Sequence, residues 1–233
     1  MTLTAEDAIE ALRKLERLLP QYFTLEPGLS DAEITEQDPS MPEDVRAILR
    51  ATTGLKIRDE VEEDMLVLDP KRTETHSEWM WGPGETARVI FSLATGDTFF
   101  VDRDPLTGAW GAVFSQSADY FNTWVYCASS LPEFLFHYAE DALKNAEAGE
   151  DEFDVCFPCE SAWRLPKESC AVPVSELRGT EDPDLAEAVA SLPDDAVLVD
   201  LRSLEPPVKM DMKYEGDFQR HGAKRLFAVA YPG

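Results

Sequence analysis

The chain has 233 residues, 46 acidic against 21 basic, for a formal net charge of −25. Hydrophobic residues make up 44% and aromatics 10%, enough for a packed core, which excludes wholesale disorder. No apolar run approaches the roughly 18 residues that span a bilayer. The acidic start, Met1 to Asp7, lacks the basic and apolar stretches of a signal peptide, so the expectation is a soluble, cytoplasmic protein.

The charge also narrows the partners. Nucleic-acid binding draws its affinity from Lys and Arg neutralising phosphates, and a surface this negative repels them. Anionic membrane surfaces are disfavoured for the same reason. What the field favours is steered encounter with a basic protein partner; the competing reading is that the charge serves solubility alone.

In chain order, the first helix starts at a box-like Thr4–Asp7, carries Ile9, Leu12, Leu15 and Leu19 at helical spacing, and ends at Pro20. Ser40-Met41-Pro42-Glu43 reads as a capping box opening a second helix. Val45, Ile48, Leu49 and Thr52 form its apolar face and Gly54 its left-handed stop. The period then changes to two. Met65–Asp69, Ala87–Ala94, Thr98–Arg103, Trp110–Ser115 and Phe121–Tyr126 are strand-like runs, with hairpin punctuation at Thr95-Gly96-Asp97 and Asp104–Ala109. Ser130-Leu131-Pro132-Glu133 repeats the capping device. Leu131, Phe134, Leu135, Tyr138, Ala139, Ala142 and Leu143 follow on one helical face.

Around 145–154 the chain becomes rich in Ala, Gly and Glu and loses periodicity, which places a boundary between 1–148 and 149–233. Acidic residues outnumber basic ones 28 to 12 before it and 18 to 9 after it, so the charge is not confined to a tail. The second segment predicts a helix capped by Asp182, opened by Pro183 and faced by Leu185, Ala188, Val189 and Leu192. Strands are predicted at Ala196–Leu201, Val208–Met212 and Arg225–Tyr231. The resulting class is α+β: an antiparallel sheet of about five or six strands with helices packed on one side, plus an acidic C-terminal α/β extension.

The four cysteines are too few for a disulfide framework. Cys156-Phe157-Pro158-Cys159 has motif spacing, but only Cys170 lies near it and the closest downstream histidine is His221. Glu160 beside it raises a thiol pKa instead of lowering it. Ordinary thiols are the reading, with metal and redox roles as the alternatives. His137, Glu140 and Asp141 share a helix face; with no second histidine nearby they read as a surface ion cluster. His76 and His221 lie in loop-like surroundings without a nucleophile signature. Asp59-Glu60-Val61-Glu62-Glu63-Asp64 holds five carboxylates in six residues. It reads either as a solvated loop or, with Trp79 and Trp81 in the same long insertion, as a contact for basic side chains. The partner-binding candidates are therefore Asp59, Glu60, Glu62, Glu63, Asp64, Trp79 and Trp81.

Residues 34–143 carry an ordered series of short motifs: the Ile34–Glu36 lead-in, Met41-Pro42-Glu43-Asp44, a helix ending at Gly54, Arg88-Val89-Ile90-Phe91, Gly96-Asp97-Thr98-Phe99-Phe100-Val101-Asp102, Gly111-Ala112-Val113-Phe114, and Ala128–Leu135. In that order they resemble the Smi/Knr family of the SUKH superfamily. Thr53 stands where the family usually has Asn, and Leu131-Pro132 replaces its usual Phe. The resemblance implies a non-enzymatic protein-binding module without catalytic residues, cofactor or metal. The expected role is that of an immunity-type protein neutralising a basic, nuclease-like toxin domain. A regulatory scaffold, or an enzyme using CxxC or His chemistry, is the alternative. The sequence assigns neither an oligomeric state nor a role to 149–233.

Overall fold

The computed structural model describes residues 3–39, 41–58, 63–73, 87–92, 97–104, 107–116, 123–213, 219–221 and 226–232. Helix α1 (Ala5–Leu18) begins at a complete capping box, in which Thr4 and Asp7 exchange side-chain and backbone hydrogen bonds. Strand β1 (Phe23–Leu25) leads to α2 (Asp31–Gln37), which has the same device in Ser30 and Glu33. This short helix occupies the stretch read from sequence only as a lead-in.

Helix α3 (Glu43–Ala51) corrects two sequence expectations. Pro42 is its N-cap and makes no side-chain cap bond, while Ser40 lies outside the described residues. Gly54 does not end it in a left-handed turn. The helix stops at Ala51, Thr52 caps it in extended backbone, and Gly54 opens strand β2 (Gly54–Arg58). Proximity is what requires the glycine, because a Cβ there would lie 2.3 Å from the Leu66 carbonyl oxygen of β3 (Glu63–Val67). Strands β1, β2 and β3 form a small antiparallel sheet.

After the short α4 (Pro70–Thr73) comes the predicted meander: β4 (Ala87–Ser92), β5 (Thr98–Arg103), β6 (Trp110–Gln116) and β7 (Thr123–Ala128), each antiparallel to the next. Helix α5 (Leu131–Ala148) follows, with Ser130 accepting from Glu133 N at its start and Gly149, at φ +73°, at its end. The box expected there is half formed. The Glu133 carboxylate turns to the Ser129 amide and hydroxyl instead of the Ser130 amide. All seven apolar positions predicted for this helix are buried.

The later segment contains α6 (Glu152–Cys156), a 3₁₀ helix (Pro158–Arg164), β8 (Lys167–Glu168), β9 (Val172–Pro173), α7 (Val174–Leu177), α8 (Pro183–Ala190), β10 (Val197–Asp200), β11 (Val208–Asp211), β12 (Gln219–His221) and β13 (Phe227–Ala230). Its strands take two different places. β11 pairs antiparallel with β7 and parallel with β8, extending the meander to a six-stranded sheet ordered β4-β5-β6-β7-β11-β8. β12, β13, β10 and β9 form a separate four-stranded sheet.

The fold is thus α+β in four layers. Along β5, Phe99 and Val101 face one core and Phe100 faces the other. The first core holds Leu12 and Leu15 of α1, Ile48 and Leu49 of α3, and the apolar face of α5. The second holds Phe114, Trp124, Tyr126 and Met210 against Val197, Val199 and Ala228, so the four-stranded sheet covers the far side of the six-stranded one. A third core, with Val174, Ala188, Val189 and Leu192, packs α7 and α8 on the outer face of the smaller sheet. Burial on both faces explains why Phe99-Phe100-Val101 is apolar without a break, where the period of two read from the sequence expects one polar face. Among the described residues, no helix is long and apolar enough to cross a membrane.

Candidate functional site

Most of the acidic stretch and both tryptophans singled out from sequence (Asp59, Glu60, Glu62, Trp79 and Trp81) lie outside the described residues. Glu63 and Asp64 belong to strand β3, opposite Arg58 and Ile57, so the sequence's loop ends before them. His76 also lies outside the described residues. His221 sits in strand β12, with Nε2 3.0 Å from the Ala188 carbonyl oxygen, and not in the loop surroundings expected.

The described residues assemble a different surface along α5. The chain leaves Gly149, turns through α6 and runs back beside α5 as the 3₁₀ helix. Asn145 Nδ2 donates to the Asp154 carbonyl at 2.7 Å, and the Tyr138 hydroxyl donates to the Cys156 carbonyl at 2.6 Å. At the far end of this strip is an acidic turn. Asp151 caps α6 by accepting from Asp154 N, and Asp154 accepts from Arg164 at 2.5 Å. Glu147 and Glu150 are exposed; the Glu150 amide donates to the Asn145 carbonyl, but neither side chain makes an ion pair or hydrogen bond among the described residues. The last turn of α5 has no basic residue, so Glu147 and Glu150 sit at the negative end of the helix macrodipole, where carboxylates are disfavoured. Three residues after Glu150, between Glu152 and Asp154 in the chain, Phe153 is 44% exposed, its ring 5.0 Å from that of buried Phe157. An exposed aromatic anchored on the core and flanked by carboxylates is a natural contact for cationic side chains. The signal lay in the Glu150-Asp151-Glu152-Phe153-Asp154 run, which had been read only as a boundary.

At the other end of the strip is a cavity of about 200 Å³ between α5, the 3₁₀ helix and the cis Pro206–Pro207 turn. Cys127 and Cys159 line it, and burial pushes both thiols well up from their ordinary value, with Glu160 adding to the effect. Both are therefore protonated at neutral pH, the opposite of an activated nucleophile or a ready metal ligand. Cys156, the other half of the CxxC spacing, is fully buried in the helix-side core. Cys170 lies apart, against the sheet-side core. Among the described residues, no group of three or more His, Cys, Asp or Glu is placed to hold a metal.

Glu160 has one carboxylate oxygen buried without a hydrogen-bond partner, and burial together with nearby Asp97 raises it to about 7. The predicted ion cluster on α5 divides. Glu140 pairs with Lys14 of α1 at 2.8 Å, whereas His137 and Asp141 face the cavity. Basic side chains gather elsewhere. Arg13, Lys14, Arg17 and Arg50 line an open groove of about 540 Å³ between α1 and α3, where Arg50 bridges Asp31 and Glu43 at 2.7 Å each. No family model matches the chain, and no curated protein does.

Proposed function

We propose that this chain is a non-enzymatic, cytoplasmic binding module that neutralises a basic, nuclease-like toxin domain in the manner of an immunity protein. The observation that carries the reading is the acidic segment at the end of α5, where the exposed Glu147 and Glu150 side chains stand against the local helix dipole and Phe153, a few residues on, is exposed. The net charge of −25 supports it from a distance, since the summed field draws a basic surface into encounter before contact. Asp59–Asp64 with Trp79 and Trp81 is a second candidate contact of the same chemistry, read from the sequence. The likeness of residues 34–143 to the Smi/Knr family points the same way, and the protonated, buried thiols offer no competing chemistry.

The test is functional. A secreted toxin encoded beside this chain's gene is expected, and co-expression of its toxic domain with this chain should restore growth. A Glu147→Gln/Glu150→Gln/Phe153→Ser variant should restore it less at equal abundance. If no such neighbour exists and the chain protects against no basic toxic domain, the reading fails.

A further inference from the structure

The cavity beside α5 has features that a void left by imperfect packing lacks. Glu133, His137 and Asp141 all line it, and residues four apart form a column on one helix face, about 6 Å per step along the axis. Glu133 is spent at the top of this column, bound to the Ser129 amide and hydroxyl. His137 and Asp141 are not spent. Neither makes a hydrogen bond or ion pair among the described residues, although both are polar groups at the mouth of a cavity. The opposite wall is mostly apolar, built from Pro158, Ala162, Pro206 and Pro207 with Cys159 and Ser161 beside them.

A carboxylate at one side, with a mostly apolar wall at the other, matches a particular kind of group: a long apolar stem ending in a cation. Resting on the reading that this chain binds a basic protein, we propose that the cavity receives one Arg or Lys side chain of that partner, its stem against the proline wall and its charged head on Asp141. Asp141 is exposed at the cavity mouth, where partial desolvation raises it from its ordinary carboxylate range and His137 and Lys144 only partly offset this, so an incoming cation adds to the compensation of its charge. Arg164, the cation of the 3₁₀ helix, is paired with Asp154, which leaves Lys144 as the basic side chain already near Asp141. A metal is a poor fit to the same space, since among the described residues no three His, Cys, Asp or Glu side chains are placed to hold one.

The test uses the intact chain and needs no partner, so it stands or falls separately from the toxin reading. Nα-acetyl-arginine amide is titrated while backbone amide resonances are followed, with neutral Nα-acetyl-citrulline amide as the control of the same shape. The expected result is saturable shifts confined to residues 133–141 and 158–162, weakened about tenfold or more with citrulline and in Asp141→Asn. They should persist in Glu150→Gln, and Ala162→Leu, which fills the cavity from the 3₁₀ side, should abolish them. Equal shifts with citrulline, equal affinity in Asp141→Asn, or shifts scattered over the acidic surface without saturation would each overturn the proposal.

Discussion

Two faces of one helix set the terms for the whole molecule. The inner face of α5 buries Leu131, Leu135, Tyr138, Ala139 and Ala142 against the six-stranded sheet. The outer strip, from Glu133 through His137 and Asp141 to Glu147, carries polar groups of which several lack partners. On the first face every group is matched to a neighbour, so substitution is felt as stability. On the second, the unmatched groups contribute little to folding, and their substitution should be felt as binding.

The largest effects belong to the inner face and to its counterpart across the sheet. Leu135→Ala removes a fully buried side chain and should cost about 2–5 kcal/mol in urea unfolding. Trp124→Ala, on the face covered by the C-terminal sheet, should cost about 3–5 kcal/mol. A cost below 1 kcal/mol for Trp124 would mean that the second sheet is only an appendage and that the comparison holds for one core alone.

Next comes Glu160, which belongs to the seam between the two faces. Its folded value of about 7 lies above the ordinary 4.5, so the folded chain holds a proton that the unfolded chain has released between those values. Its contribution is therefore complete below pH 4.5 and is lost as pH rises through 7. Glu160→Gln should stabilise the protein above pH 7 by about 1–2 kcal/mol after allowance for solvent screening, with the difference closing towards acid. Thermal unfolding of both forms across that range measures it; a constant difference would remove Glu160 as the cause.

Smaller still is the helix cap. Ser130→Ala leaves the Glu133 amide without its acceptor and should cost about 1 kcal/mol in chemical denaturation. At the bottom of the scale stands the outer strip. Glu147→Gln with Glu150→Gln should change stability by less than about 0.5 kcal/mol, in the stabilising direction because both charges oppose the helix dipole. A loss above 1 kcal/mol would show that these carboxylates are structural after all.

What was legible in the sequence follows from the same contrast. The inner face of α5 could be read residue by residue, because burial imposes a period and the Ser130–Glu133 signal marks where it starts. The meander was legible from its β-branched and aromatic runs and the turn residues between them, although Phe99-Phe100-Val101, buried on both sides, breaks the period of two expected there. What covers the second side was not legible. Val208–Asp211 reads as a strand, but nothing local says that it pairs with β7 while Val197–Asp200 joins another sheet, since pairing is decided by residues far apart in sequence. Gly54 was misread because glycine serves both a left-handed turn and a close approach of backbones, and only the neighbouring Leu66 carbonyl distinguishes them. The candidate site was the least legible part. The cavity joins residues 127, 133–141, 158–162 and 206–207, which no period connects. The acidic turn was hidden by resembling an ordinary boundary.

The measurement that bears most directly on the central claim is the association rate of the protected toxin domain with this chain, wild type and Glu147→Gln/Glu150→Gln, at about 50 and about 500 mM salt, where screening lengths differ severalfold. The account predicts a partner with excess Lys and Arg, a wild-type on-rate falling about tenfold or more across that range, and a variant that associates more slowly at low salt with a flatter salt dependence. A partner that is neutral or acidic, or an on-rate indifferent to both salt and substitution, would contradict it.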